Sequence, residues 1–234
     1  MIKKWLIQYM PWLGKYKRFW VAYKDSVSSA RSSYSQYRED IFLWETLSQY
    51  DLSHSVYVDV GANHPTDISN TYLMYRKGLT GYVVEPNEEL INLFRRFRKK
   101  DVPLAIGCSN RSAILPFHIS RTPVISSFAG DRPGDLLKTV YVPVMPLDEA
   151  LSAFDITYIN LLSIDVEGLN FEVMQGARET IKRSLLVCIE FDREEEIPVF
   201  NDFMGAGFTL LKTIHCNLIY LNRDLAAKKL KSSR

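Results

Sequence analysis

Val56, Tyr57, Val58 and Val60 make a short β-branched and aromatic run around one acid, Asp59, and the run empties into Gly61-Ala62-Asn63-His64-Pro65. So brief an apolar stretch, stopped by a glycine, fits a strand at the centre of a parallel sheet and is too short for a buried helix. A carboxylate in such a strand must be hydrogen-bonded or face a ligand, since burying it unpaired costs several kcal/mol or forces it neutral. In open α/β sheets the ligand crevice lies beyond the carboxyl ends of the strands, which is where Gly61 to Pro65 would sit.

The same pattern returns along the chain. Residues 68–77 read as a helix closed by Gly78, and Gly81 to Asn87 as a second strand that ends in Glu85 and is stopped by Pro86. The separation of Asp59 from Glu85 is what a strand, a crossover helix and a second parallel strand require, so Glu85 should share a sheet edge with Gly61. Tyr158 to Gly168 delivers Asp165 and Glu167 in the same manner, and Leu185 to Phe191 delivers Glu190. One acid at a strand end is ordinary, whereas a row of them along one edge describes a polar pocket.

Between these landmarks the spacing predicts helices over 88–100, 147–154, 170–183 and near 198–206, and strands over 103–108, 114–119 and 139–145. Asn110-Arg111-Ser112 reads as the turn of a hairpin-like pair. The connection from Ser120 to Lys138, rich in Ser, Gly and Pro, is long for a compact domain, as functional loops tend to be. Residues 208–214 and 218–222 read as an antiparallel hairpin about His215-Cys216-Asn217. The basic run Arg95, Arg96, Arg98, Lys99 and Lys100 complements its helix dipole and reads as a solvated face.

At 234 residues and 47% hydrophobic, the chain can bury one full core. We read one α/β domain over 34–225, a basic, Trp-rich extension over 1–33 and a basic tail over 226–234. Three widely spaced cysteines without a CxxC pair support neither a disulfide framework nor a zinc site, and point to the reducing cytoplasm. A formal charge of +2 gives no global footprint for nucleic acid. The extension is the polarised part: Lys3, Lys4, Lys15, Lys17, Arg18 and Lys24 occur without an acid before residue 25, alongside Trp5, Trp12 and Trp20. Apolar residues at three- and four-residue steps give it an amphipathic helical pattern, interrupted by Pro11. Two readings of residues 1–24 follow: peripheral contact with the inner membrane surface, or a helix packed on the body of the protein. Gln8, Pro11 and Lys15 break the apolar run too often for a secretory signal or a membrane span. Ser26 to Ser35 reads as a linker, with Ser35 capping a helix that carries Glu39 and Asp40 in its first turn.

A pyrophosphate-binding turn needs Gly-x-Gly-x-x-Gly, and the turn after the first strand has one glycine. A nucleoside ligand without phosphates would still want small residues near Gly61 and an acid, such as Glu85, to take both ribose hydroxyls. S-adenosyl-L-methionine is such a ligand, and its ammonium and sulfonium favour a carboxylate-lined pocket that would repel ATP. Tyr34-Ser35-Gln36 with Glu39-Asp40, Val58 through Pro65, Ser69-Asn70-Thr71, Gly81 through Asn87 and Ile164 through Gly168 together resemble the FkbM-type methyltransferases, over residues 34–222.

The resemblance implies a class I, Rossmann-like three-layer sandwich with a mostly parallel seven-stranded sheet and a C-terminal antiparallel hairpin. It also implies S-adenosyl-L-methionine as cofactor and O-methylation of a hydroxyl on a saccharide, glycoconjugate or natural product. It assigns cofactor roles to Asp59, Gly61, Asn63 and Glu85, and extends the expected cofactor-binding set to Gln36, Ala62, Ser69, Asn70, Pro86, Asn87, Ile106 and Asp165. Arg38 stands where many relatives have Gly, and Leu79-Thr80 replaces a more usual pair before Gly81. A hydroxyl acceptor must lose a proton, which nominates His64, or Asp165, Glu167 or Glu190 with a pKa raised by like-charged neighbours. His118 and His215 read as structural, and Asp165 with Glu190 gives too few hard ligands for a metal site. Two readings from other classes stay open: a nucleotide-dependent oxidoreductase on a degenerate Rossmann sheet, and a catalytically silent membrane-associated binding module.

Overall fold

The structure of the protein, a computed structural model, describes residues 17–24, 33–121, 126–128 and 135–230. Much of the N-terminal extension, the middle of the 120–138 connection and residues 231–234 therefore lie outside the described residues.

Seven strands form the main sheet: β1 (Val56–Val60), β2 (Thr80–Val84), β3 (Val102–Leu104), β7 (Ile159–Ile164), β8 (Ser184–Glu190), β9 (Phe208–Ile214) and β10 (Asn217–Asn222). Their order is β3-β2-β1-β7-β8-β10-β9. The first five run parallel, and β10 is antiparallel to both β8 and β9. This is the mostly parallel sheet with a terminal hairpin that the strand pattern led us to expect. β7 is buried along its whole length, as a strand covered on both faces must be. Alternate side chains divide the core: Val58, Leu162 and Val187 face one helical layer, and Tyr57, Leu161 and Leu186 face the other.

On the second of those faces lie α1 (Glu39–Leu47), α2 (Tyr72–Arg76) and α3 (Glu88–Phe97), which contribute Leu43, Leu47, Met74 and Phe94. On the first lie α4 (Leu147–Ala150), α5 (Asn170–Gln175), α6 (Arg178–Lys182) and α7 (Glu196–Met204), which contribute Leu147, Val173, Ile181 and Phe200. The last helix, α8, runs from Arg223 to Lys229, and Leu230 bridges to Tyr50, so the expected tail begins as ordered structure.

Several elements differ from their expected extents. The single strand expected over 103–108 is two: β3 pairs with β2, while β4 (Gly107–Cys108) joins β5 (Ala113–Ser120) and β6 (Leu136–Met145) in a separate sheet of order β4-β6-β5. β4 is parallel to β6, so Asn110-Arg111-Ser112 does not close a hairpin between neighbours. The helix expected over 170–183 breaks at Gly176, where any Cβ would come within 2.2 Å of the Ser109 carbonyl oxygen. The helix expected from Ile68 starts only at Tyr72, because Ile68 adopts a left-handed φ of 51° and side chains pin the loop before it.

Ser35 does accept from a first-turn N–H of α1, that of Asp40 at 3.2 Å, although it is not the residue at the N-cap position. Arg38 occupies the N-cap position at φ 67°, the left-handed region in which Gly is easiest. Asp40 also reaches back, accepting from the Tyr34 N–H at 2.7 Å and the Ser35 hydroxyl at 2.9 Å. Residues 17–24 form a helix that packs on α3, with Phe19 against Phe97 at 5.4 Å and Arg18 paired to Glu89 at 2.9 Å. The packed reading thus holds for these residues, and residues 1–16 lie outside the described ones. No helix among the described residues is long and apolar enough to cross a membrane.

Candidate active site

The carboxyl ends of β1, β2 and β7 are tied together by backbone bonds. Gly61 and Ala62 donate to the Val84 carbonyl at 3.0 and 3.1 Å, and the Asp165 N–H donates to Val60 at 2.9 Å. Gly61 turns the chain at φ +80°, and a Cβ there would sit 1.8 Å from the Asp165 carbonyl oxygen. The glycine is therefore required twice, by conformation and by space.

Glu85 closes this corner. Its carboxylate accepts from the Asn63 N–H at 2.9 Å and the Asn87 N–H at 2.8 Å, which fixes the turn after β1 to the turn after β2. Burial pushes its pKa up to about 7, the two N–H donors oppose that rise, and the Asp59 charge adds to it.

These ends open into a cleft. It is lined by Gly61, Asn63, Glu85, Pro86 and the Ile106 to Cys108 stretch, by Asp165, Val166, Glu167 and Glu190, and by Gln36. Phe117, Ser126, Ser127 and Phe128 complete the lining from the three-stranded sheet and its return loop, with the two phenyl rings 4.8 Å apart. Of the expected cofactor set, Gln36, Gly61, Asn63, Glu85, Pro86, Ile106 and Asp165 are thus brought together.

The remaining members support the cleft from behind and do not line it. Asp59 is buried and accepts from the Thr71 hydroxyl, with Arg98 nearby lowering the pKa that burial raises. Ala62 is buried beneath the turn. Ser69 accepts from the Tyr72 N–H at 3.2 Å, Asn70 donates to the Ser163 hydroxyl at 3.3 Å, and Asn87 caps α3 through the Glu89 N–H. His64 is also corrected. Its Nδ1 lies 3.1 Å from the Asp67 N–H, which leaves the ring proton on Nε2 facing the Arg18 carbonyl at 3.1 Å. The imidazole shapes the loop and is turned away from the cleft as a base.

The other three nominated bases do meet the cleft. Burial, and then the Glu190 carboxyl within hydrogen-bonding reach, holds Asp165 well above the usual carboxylate range. Glu190 Oε1 accepts from the Cys216 thiol at 3.2 Å, and its buried Oε2 has no hydrogen-bond partner among the described residues. Glu167 sits at the turn into α5 with a φ of 29°, ahead of Gly168 at φ 90°. No cluster of three or more His, Cys, Asp or Glu among the described residues is arranged to hold a metal.

Sequence reading missed Arg98, which is fully buried and not on the solvated face assigned to its run. It bonds Asp101 at 2.6 Å, the Tyr57 hydroxyl at 2.7 Å and the Thr71 hydroxyl at 3.0 Å, so it holds β1 and the 65–71 loop together beneath the cleft. The available signal was the acid three residues on, Asp101, an i,i+3 partner for one arginine of the run. Phe117 and Phe128 carried no signal, because Phe117 reaches the cleft from β5 and Phe128 from the loop that bridges back to β5 through Ser127 and His118.

The family described as Methyltransferase FkbM domain matches residues 59–221. No curated protein matches the chain. Solved structures similar to it include a methyltransferase FkbM from Methylobacillus flagellatus KT, at 16% identity and TM-score 0.46 over 71% of this chain and 44% of that one. The METTL16 MTase domain aligns at 9% identity and TM-score 0.47, over 79% of this chain and 65% of that one. The chain therefore spans less than half the length of the FkbM structure it matches.

Proposed function

The chain belongs to the FkbM methyltransferase domain family, and from that membership we propose that it moves a methyl group from S-adenosyl-L-methionine to a hydroxyl of a saccharide, glycoconjugate or related natural product. One observation carries the reading: the turn after β1, the acid after β2 and the carboxyls that end β7 and β8 line a single cleft. The residues present fit the cofactor. The Gly61 turn keeps its wall free of side-chain bulk, and Glu85 offers a buried carboxylate whose remaining lone pairs suit two ribose hydroxyls. The Ile106 to Cys108 stretch with Phe128 gives apolar surface for a base, and Asp165 with Glu190 supplies negative charge that favours a cation.

When bound, S-adenosyl-L-methionine supplies a methyl group already activated by its sulfonium. The chain's own task is to orient the acceptor oxygen, exclude water and receive the hydroxyl proton. Asp165 is suited to receive it, because burial and Glu190 raise its proton affinity above that of an exposed carboxylate. The proton leaving the acceptor then rests on the Asp165 and Glu190 pair. Phe117 and Phe128 shield that side of the cleft from water. A nucleotide-dependent oxidoreductase has weaker support, since the single-glycine turn, closed against Asp165, offers little room for a pyrophosphate.

Calorimetry with S-adenosyl-L-methionine on the parent and on Glu85→Ala tests the donor half. No binding to the parent, or undiminished binding to the variant, overturns it. Label from a methyl-labelled donor should appear on hydroxyl oxygens of cell-envelope glycans by mass spectrometry. Label found only on protein or nucleic acid would overturn the acceptor half.

A further inference from the structure

Helix 17–24 and the C-terminal half of α3 lie together and share one chemistry. Neither helix 17–24 nor the stretch from Ile91 to Lys100 contains an acidic residue. Lys17, Lys24, Lys99 and Lys100 are exposed, and among the described residues no ion pair engages them. Arg96 is exposed as well and lies over the Phe19 ring at 4.7 Å, so the cations of α3 continue directly into the aromatic face of the other helix. On that face Trp20 is 59% exposed and Tyr23 47%, with their rings edge to face at 5.6 Å.

We propose that this cationic and aromatic face seats on an anionic lipid surface. A cationic patch alone would suit any polyanion. The exposed indole among the cations favours a bilayer, because tryptophan lodges at the headgroup level while lysines reach the anionic lipids beside it. The preceding sequence adds Lys3, Lys4 and Lys15 with no acid, so the charge of the chain leading into the face does not oppose the contact. The face is separate from the cleft and stands whether or not the methyl-transfer reading does.

Co-sedimentation of the full chain with vesicles of phosphatidylcholine alone and of phosphatidylcholine with phosphatidylglycerol provides the test. The parent should pellet with the anionic vesicles and not the neutral ones, and 0.5 M salt, which shortens the screening length about twofold from its physiological value, should release much of it. Lys99→Glu with Lys100→Glu should reduce the bound fraction about tenfold, and Trp20→Ala several-fold, with unchanged melting temperatures. Equal binding to both vesicle types, or binding unmoved by both variants, overturns the proposal. So does tighter binding to duplex DNA than to anionic vesicles at equal ionic strength, which would assign the face to nucleic acid.

Discussion

A Cβ built on Gly61 would lie 1.8 Å from the Asp165 carbonyl oxygen, at a φ of +80° that side chains also resist. The clash is with backbone, so relief requires β1 and β7 to separate at the mouth of the cleft. Gly61→Ala is expected to cost about 3 kcal/mol or more, by analogy with strained backbone plus overpacking, and to abolish donor binding. A urea midpoint within experimental error of the parent would show that the turn is not held as described. Glu85 gives a second prediction. Its pKa of about 7 means that the carboxylate needed to accept ribose hydroxyls is only partly formed at neutrality. Donor affinity, measured by calorimetry between pH 6 and 8.5, should therefore rise with pH through about 7, and the rise should vanish in Glu85→Gln. An affinity flat across that range in the parent would remove Glu85 from the donor site.

The strands that end in acids were legible because their signal is local: a short apolar run, a carboxylate and a turn residue sit within a dozen positions of one another. What sequence could not disclose is set by contacts between distant elements. Whether Asp59 faces the cleft or the core depends on Thr71 and Arg98, which arrive from a loop and from α3. Gly176, where the helix breaks, must be glycine because the Ser109 carbonyl passes beside it, and the three-stranded sheet exists because β4 leaves β3 to run parallel to β6. Arg38 was legible as a departure from the family pattern, and its left-handed φ of 67° supplies the reason a glycine is common there. Arg98 is the sharpest case. Its guanidinium has Asp101 as ion partner, lies over the rings of Tyr57 and Phe94 at 5.3 and 5.0 Å, and bonds the hydroxyls of Tyr57, Thr71 and Ser69, all in the interior. Arg98→Met would leave the Asp101 carboxylate buried without its cation, which costs about 3–5 kcal/mol. Arg98→Lys should recover little of it, because an ammonium cannot fork to several fixed partners. Full rescue by lysine in denaturant unfolding would reduce the network to a simple charge pair.

Across the whole molecule, four acids share one direction of shift: Asp59 and Glu85 are buried, Asp165 is half-buried and Asp192 is exposed. Glu85, Asp59, Asp165 and Asp192 all have raised pKa values with burial as the leading cause. A group whose folded pKa lies above its unfolded value contributes stability that is fully present below the unfolded pKa and is lost as pH rises through the folded one. For Glu85 that window runs from 4.5 to about 7 and is worth about 3 kcal/mol. Asp59, Asp165 and Asp192 act in the same direction, while Asp51, whose pKa is lowered by Ser53, titrates below this window and leaves it unaffected. The ligand-free protein should therefore be more stable at pH 6 than at pH 8.5, by about 1.4 kcal/mol or a melting temperature higher by about 3–6 °C if Glu85 alone governs the difference. Most of that difference should disappear in Glu85→Gln, whose amide cannot ionise. If S-adenosyl-L-methionine binds through the ionised Glu85, saturating it should raise the melting temperature more at pH 8.5 than at pH 6, so that ligand and proton oppose each other at one carboxyl. A ligand-free melting temperature that instead climbs between pH 6 and 8.5 would mean that the row of strand-end acids is solvated and not enclosed.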